Sequence, residues 1–225
     1  MLLLDFLRPD RKTTLLSQAT DTCVEMLRIG HQMFHYSLRV LMDNEKEVQD
    51  IYASDRQLNH LEINVRRLVI EHLVLNPRHD VVPALFVAAI VGDIERIGDY
   101  CKNVVELAHH YPEKLEGPYI ERIREIECNV TKVYEMTIKA LAEGDSELAR
   151  EAMELNVAIT RESDQLTDKL LAETAMPARD AVIRALLLRF LKRVGAHLKN
   201  VASSLVNPYP RIGYKPDGSP DDKDE

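Results

Sequence analysis

The stretch Asp93-Ile94-Glu95-Arg96-Ile97-Gly98-Asp99-Tyr100-Cys101-Lys102-Asn103-Val104 has a diverged second copy 97 residues later in the same chain. Arg96, Gly98, Lys102, Asn103 and Val104 fall on Arg193, Gly195, Lys199, Asn200 and Val201, all identical. Chance is a poor explanation for so many matches in so short a window, so the chain contains an internal repeat. The first copy lies within an apolar stripe, Val87, Ile90, Ile94, Ile97, Cys101, Val104 and Ala108, whose alternating steps of three and four mark the seam of a helix packed on other helices. The second copy keeps the phase with Arg184, Leu187, Leu191, Val194, Leu198, Val201 and Leu205, polar only at the first position.

Ahead of this window the repeat continues more weakly at an offset of 100, with Phe34 on Tyr134, Asp43 on Glu143, Val48 on Leu148 and Glu62 on Glu162. Prolines at 9, 77, 83, 112, 118 and 177 leave long blocks in which helices can run. Asn44 with Glu47 reads as a capping box that divides the first block. Gly144-Asp145 divides a later one, Gly closing one helix and Asp opening the next. Leu75-Asn76-Pro77-Arg78-His79-Asp80 is a turn, since Asn-Pro stops a helix and Asp80 can cap its successor. Six helices are predicted, over 12–42, 45–74, 80–110, 119–143, 146–173 and 178–206. The fold class is therefore all-α: two tandem three-helix repeats, 1–114 and 115–206, forming a six-helix bundle. Residues 207–225 hold four prolines, end in acids and are expected to be a mobile tail.

Composition agrees. The 225 residues are 45% hydrophobic and 29% charged but only 5% aromatic, with no Trp, and the formal net charge of -8 comes without any dense Lys/Arg block. That balance suits helices and disfavours nucleic acid or anionic membrane as partners. Three cysteines without CxxC spacing suggest neither a disulfide framework nor a zinc ribbon. No signal peptide and no uncharged apolar run of spanning length is read, so a cytoplasmic location is expected. No Gly-rich phosphate loop, Ser-His-Asp set or Cys-His arrangement can be assembled, which disfavours an enzyme. Only Glu106-Leu107-Ala108-His109 fits the Glu-x-x-His of a di-iron carboxylate bundle, which needs two.

Chemistry concentrates at Glu95 and Asp99, four apart and hence on one helix face, outward from the seam. Two carboxylates so placed can share a hard or borderline cation, or can be an ordinary solvated acidic face. Glu95-Arg96-Ile97-Gly98-Asp99, preceded by Asp93-Ile94 and followed by Asn103, resembles the ExxxD signature of PhoU proteins. With the second copy, the resemblance covers nearly the whole chain apart from the tail. It implies tandem three-helix bundles, multinuclear surface metal sites holding a divalent or trivalent ion (Fe, Zn, Mg or Mn), and negative regulation of the phosphate response. The partners it implies are a phosphate transporter subunit and a sensor histidine kinase; a homodimer is possible. The alternative is a helical metal-binding adaptor without a phosphate role.

In the second copy Lys192 and Ala196 replace the two acids while His197 and Asn200 remain, so that site is expected to be crippled. Asp55 and Glu62 on the preceding helix could add oxygens to the first site, Asp55 being the third candidate metal ligand, or could each be an ordinary surface acid. Gly98 and Gly195 stand mid-helix, where Gly costs about 1 kcal/mol relative to Ala, either because something approaches closely or as tolerated surface residues. His31 and His35, also four apart, could bind zinc but have no third ligand nearby in sequence.

Overall fold

The computed structural model describes Leu3 and residues 14–214. Six helices follow the expected order: α1 (Leu15–Met42), α2 (Ile51–Leu75), α3 (Val81–His109), α4 (Ile120–Glu143), α5 (Ser146–Leu171) and α6 (Ala178–Ser203). No strand occurs among the described residues. The expected start of the first helix at 12 lies outside them. Thr14 caps α1 through a capping box, its Oγ1 accepting from Ser17 N at 3.1 Å while Ser17 Oγ accepts from Thr14 N at 2.9 Å. Gly144 closes α4 in the left-handed conformation at φ 69°, and Asp145 opens α5 by accepting from the amides of Glu147 and Leu148, both as expected.

Asn44 does not begin α2. It takes a left-handed conformation (φ 54°) just beyond α1, and Asp50 caps α2 instead, accepting from Ala53 N at 3.0 Å. Ile51, buried, is the first apolar residue that α2 can bury, so the helix starts beside it. The α1–α2 connection is accordingly longer than the α4–α5 one, and this moves the register between repeats. An offset of 100 would set Leu58 on Ala158, whereas Leu58 packs on Gly98 and Asn156 packs on Gly195.

Within each repeat all three helices touch one another, and α3 with α6 and α1 with α4 join the repeats. Every member of the α3 stripe is buried, and so is its α6 counterpart. Arg184, the one polar member, is only 2% exposed yet is not stranded. Its guanidinium donates to the carbonyls of Asp180 at 2.9 Å and of Glu116 at 2.6 Å, tying the inter-repeat connection to α6. Leu115 in that connection is buried, and its amide donates to Met42 O. The first residues of the expected tail are also held. After α6 the chain makes one 3-10 turn, Tyr209–Arg211, and Tyr209 meets Phe86 edge-to-face at 5.4 Å. Asn207 Nδ2 donates to the carbonyls of Arg211 and Tyr214, and Gly213 N donates to Ser203 Oγ at 2.7 Å. These bonds fix 207–214 on the bundle in place of a mobile tail; 215–225 lie outside the described residues.

Gly98 and Gly195 are buried at helix crossings. A Cβ on Gly98 would collide with Leu58 of α2, and one on Gly195 with the Asn156 amide of α5. Glycine is thus what lets the second and third helices of each repeat approach. Gly98→Val is expected to lower stability by about 1–3 kcal/mol through overpacking. The check is the urea midpoint; Leu58→Ala in the same chain should recover part of the loss, making the two effects non-additive.

Candidate functional site

The seam of α3 turns Ile94, Ile97 and Cys101 inward, so Glu95 and Asp99 fall on the flank that faces α2. Helix α2 runs antiparallel to α3 and brings Asp55 opposite Asp99 and Lys102, with Glu62 opposite Gly92 and Glu95. Asp55 is 9% exposed, and Glu62 is largely covered by its ion pair with Arg66 at 2.7 Å. The structure therefore gathers Asp55, Glu62, Glu95 and Asp99 into one groove between two helices, set at the bundle surface and not in its core.

Lys102 is the residue that sequence reasoning missed. Its ammonium lies 3.1 Å from Asp55 Oδ1 and 3.0 Å from Asp99 Oδ1, bridging the helices. Burial works against that charge, but the hydrogen bonds that the ammonium donates to Asp99 and Asp55, with the charges of those carboxylates, outweigh it and hold the lysine pKa above its ordinary value. An i,i+3 partner for Asp99 was visible in the sequence, though Lys102 stood out there only as a repeat identity. Glu95 has no such cation and accepts no hydrogen bond among the described residues. Burial first, then Asp99, Glu62 and, more weakly, Asp55, push its carboxyl above the usual range, against the opposing pull of Arg96.

The groove's chemistry fits a hard or borderline cation in that all donors are carboxylate oxygens, with Glu95 raised first by burial and then by the acids beside it. Its present arrangement is that of an ion pair. No three His, Cys, Asp or Glu side chains converge in a metal-holding geometry among the described residues. A metal held by Glu95, Asp99 and Asp55 has to take the place of the lysine ammonium.

The second repeat is built differently. Lys192, at the position of Glu95, reaches Asp164 of α5 at 2.5 Å. His197 and Asn200 do not face α5 at all. His197 Nδ1 is 2.7 Å and Asn200 Nδ2 2.9 Å from Asp93 Oδ1, so they cross from α6 to the first repeat. Tyr100, the repeat counterpart of His197, stacks on it at 5.7 Å, and its hydroxyl receives Arg193 Nε at 3.0 Å. Asp93 thus serves the inter-repeat seam and not the groove.

Two three-helix bundles in tandem, crossed tightly at paired glycines and carrying an acidic groove in one copy, define a class of all-helical repeat proteins. The family model for the PhoU domain matches residues 23–108 and 123–205, and the chain belongs to the PhoU family. The crystal structure of PhoU from Pseudomonas aeruginosa is similar at a TM-score of 0.76 and 24% identity, covering 85% of this chain and 95% of that one. That of the phosphate transport system regulatory protein PhoU from Streptococcus pneumoniae is similar at a TM-score of 0.76 and 14% identity, covering 84% and 92%. At these identities the likeness to both is one of fold. No curated protein matches the sequence. Among the described residues no helix is long and apolar enough to cross a membrane.

The raised Glu95 pKa gives a signed expectation. A carboxylate whose folded pKa lies above its unfolded one weakens the fold when ionised, and that cost disappears as pH falls through the raised value to below the ordinary one. Glu95→Gln should therefore raise the urea midpoint at pH 7. The gain should shrink on acidification through the carboxylate range and vanish below it.

Proposed function

We propose that this protein regulates phosphate uptake and phosphate-starvation signalling, holding down a phosphate transporter or a sensor histidine kinase when phosphate is plentiful. The observation that carries this reading is the pair of PhoU domain matches, one on each repeat, with the acidic motif intact in the first. The neighbour from Streptococcus pneumoniae bears the description of a phosphate transport system regulatory protein, in line with it. Action is by binding in the cytoplasm and not by catalysis. Partners are engaged through the outside of the bundle, and any membrane component is reached through the transporter.

In this reading the α2/α3 groove takes a divalent or trivalent ion, Fe, Zn, Mg or Mn, through Glu95 and Asp99 with Asp55. Bound there, the ion would supply concentrated positive charge at a surface able to dock an acidic group of a partner. What the chain's own residues contribute is support from both sides: the Gly98 crossing holds α2 close to α3, and Lys102 keeps Asp55 and Asp99 compensated when no ion is present. One groove, not two, does this, because Lys192 carries its own charge into the second.

The test is a phosphate-responsive reporter in a deletion strain grown at high phosphate. Deletion should derepress it, the wild-type gene should restore silence, and Glu95→Gln with Asp99→Asn should fail to do so at equal protein level. An unchanged reporter on deletion would remove the phosphate role and leave a helical adaptor.

A further inference from the structure

A second group of metal-ligating side chains lies away from the carboxylate groove, where α1 meets α4. His31 and His35 stand one turn apart on α1, their Nε2 atoms 2.9 Å from each other and their rings edge-on at 4.5 Å. Both rings are half-buried and are backed by an aromatic wall. Tyr134 of α4, itself fully buried, lies 4.8 Å from His31, and Phe34 lies 6.0 Å from both His35 and Tyr134. Beside that wall Glu135, exposed on α4, comes near enough to act electrostatically on both imidazoles. The other repeat thus brings an acidic side chain, which the neighbouring sequence lacks, close to the histidine pair.

We propose that His31 and His35 chelate one borderline transition-metal ion, zinc above all, with Glu135 as third ligand and solvent in the fourth position, so that the ion clasps α1 of the first repeat to α4 of the second. Histidines four apart on a helix aim their ring nitrogens to one side, the arrangement by which zinc-binding helices present two ligands. Tetrahedral zinc with nitrogens at about 2.0–2.1 Å holds the two nitrogens roughly 3.3 Å apart, so this pair has to open by only a few tenths of an ångström. Without metal the gap is filled by an N–H···N hydrogen bond, one imidazole donating and the other accepting. On binding, the donor ring carries its proton on Nδ1 and both Nε2 lone pairs reach the ion. Burial, together with His35 for His31 and with Arg39 for His35, favours neutral rings, while Glu135 pulls the other way. As the side chains stand no three donors converge, so the exposed Glu135 has to turn toward the two rings on binding. Nitrogen ligands separate this site from the all-oxygen groove by metal preference, and it stands or falls independently of the regulator reading.

The experiment is Zn2+ titration of the chelator-stripped full-length protein against a chromophoric competitor. Either His31→Gln or His35→Gln should weaken one equivalent of Zn2+ by at least about tenfold, and Glu135→Gln by less. Glu95→Gln with Asp99→Asn should leave that equivalent unchanged. Because a ligand of the native state stabilises it, Zn2+ should raise the melting temperature of the protein carrying Glu95→Gln with Asp99→Asn, in which the groove is disabled, and should not do so once His35→Gln is added to it. Co2+ bound to the wild type should give the intense visible bands of a tetrahedral site, a readout that requires no variant. Zn2+ affinity indifferent to both histidine substitutions, or no saturable binding in the micromolar range, would overturn the proposal and leave the pair as a packing hydrogen bond.

Discussion

Burial of the α3 stripe is the constraint on which the rest of the molecule depends. Val87, Ile90, Ile94, Ile97, Cys101, Val104 and Ala108 all leave solvent, and each large aliphatic side chain so buried contributes about 1.5–3 kcal/mol. With that face inward, the azimuth of every other residue on α3 is set. Glu95 and Asp99 cannot move to the core or to the open surface; they face α2. Gly98, between them and buried, sets how near α2 comes, and Asp55 arrives opposite Asp99 because Leu58 fills the place of the missing Cβ. The acidic groove is thus a consequence of core packing.

The repeats share this scaffold but have divided its polar positions. In the first, the third helix keeps two acids and compensates one with Lys102. In the second, Lys192 brings the compensating charge to the acid position and Ala196 removes the other donor. His197 and Asn200 are free of metal-site geometry there and hydrogen-bond Asp93 across the seam. Phe190, the counterpart of Asp93, meets Tyr100 at 6.0 Å. One pair of equivalent positions therefore makes a polar contact and the other an aromatic one, which is why α3 and α6 are not interchangeable.

Much of the fold was legible because it follows from periodicity. Helix phase, the repeat and the Gly144-Asp145 boundary are local or one-dimensional facts, whereas for Gly98 and Gly195 the sequence left close approach and a tolerated surface position both open until Leu58 and Asn156 were docked against them. What escaped was long-range. Asp50 displaced Asn44 as the cap of α2 because burial of Ile51 decides where that helix begins. The 207–214 segment is held by side-chain bonds of Asn207 and Ser203 that no proline count reveals. At the site, the shared face of Glu95 and Asp99 was legible from spacing, while Asp55 was only one of two acids on the preceding helix that could have joined them. The bridging of Lys102 to Asp55 was not, since α2 had to be docked first, and the same holds for Glu135 beside His31 and His35.

In the groove the Lys102 ammonium holds the place that the proposed ion would take, beside a Glu95 carboxyl pushed up first by burial and then by its acidic neighbours. Manganese discriminates best, since it prefers the oxygens of the groove over the α1/α4 imidazoles and scatters anomalously. A crystal soaked in Mn2+ and measured for anomalous difference density should show a peak between Glu95 and Asp99, within reach of Asp55, with the Lys102 ammonium moved away. Lys102 still bridging Asp55 and Asp99, with no peak beside it, would contradict the account and leave the motif as an ion pair alone.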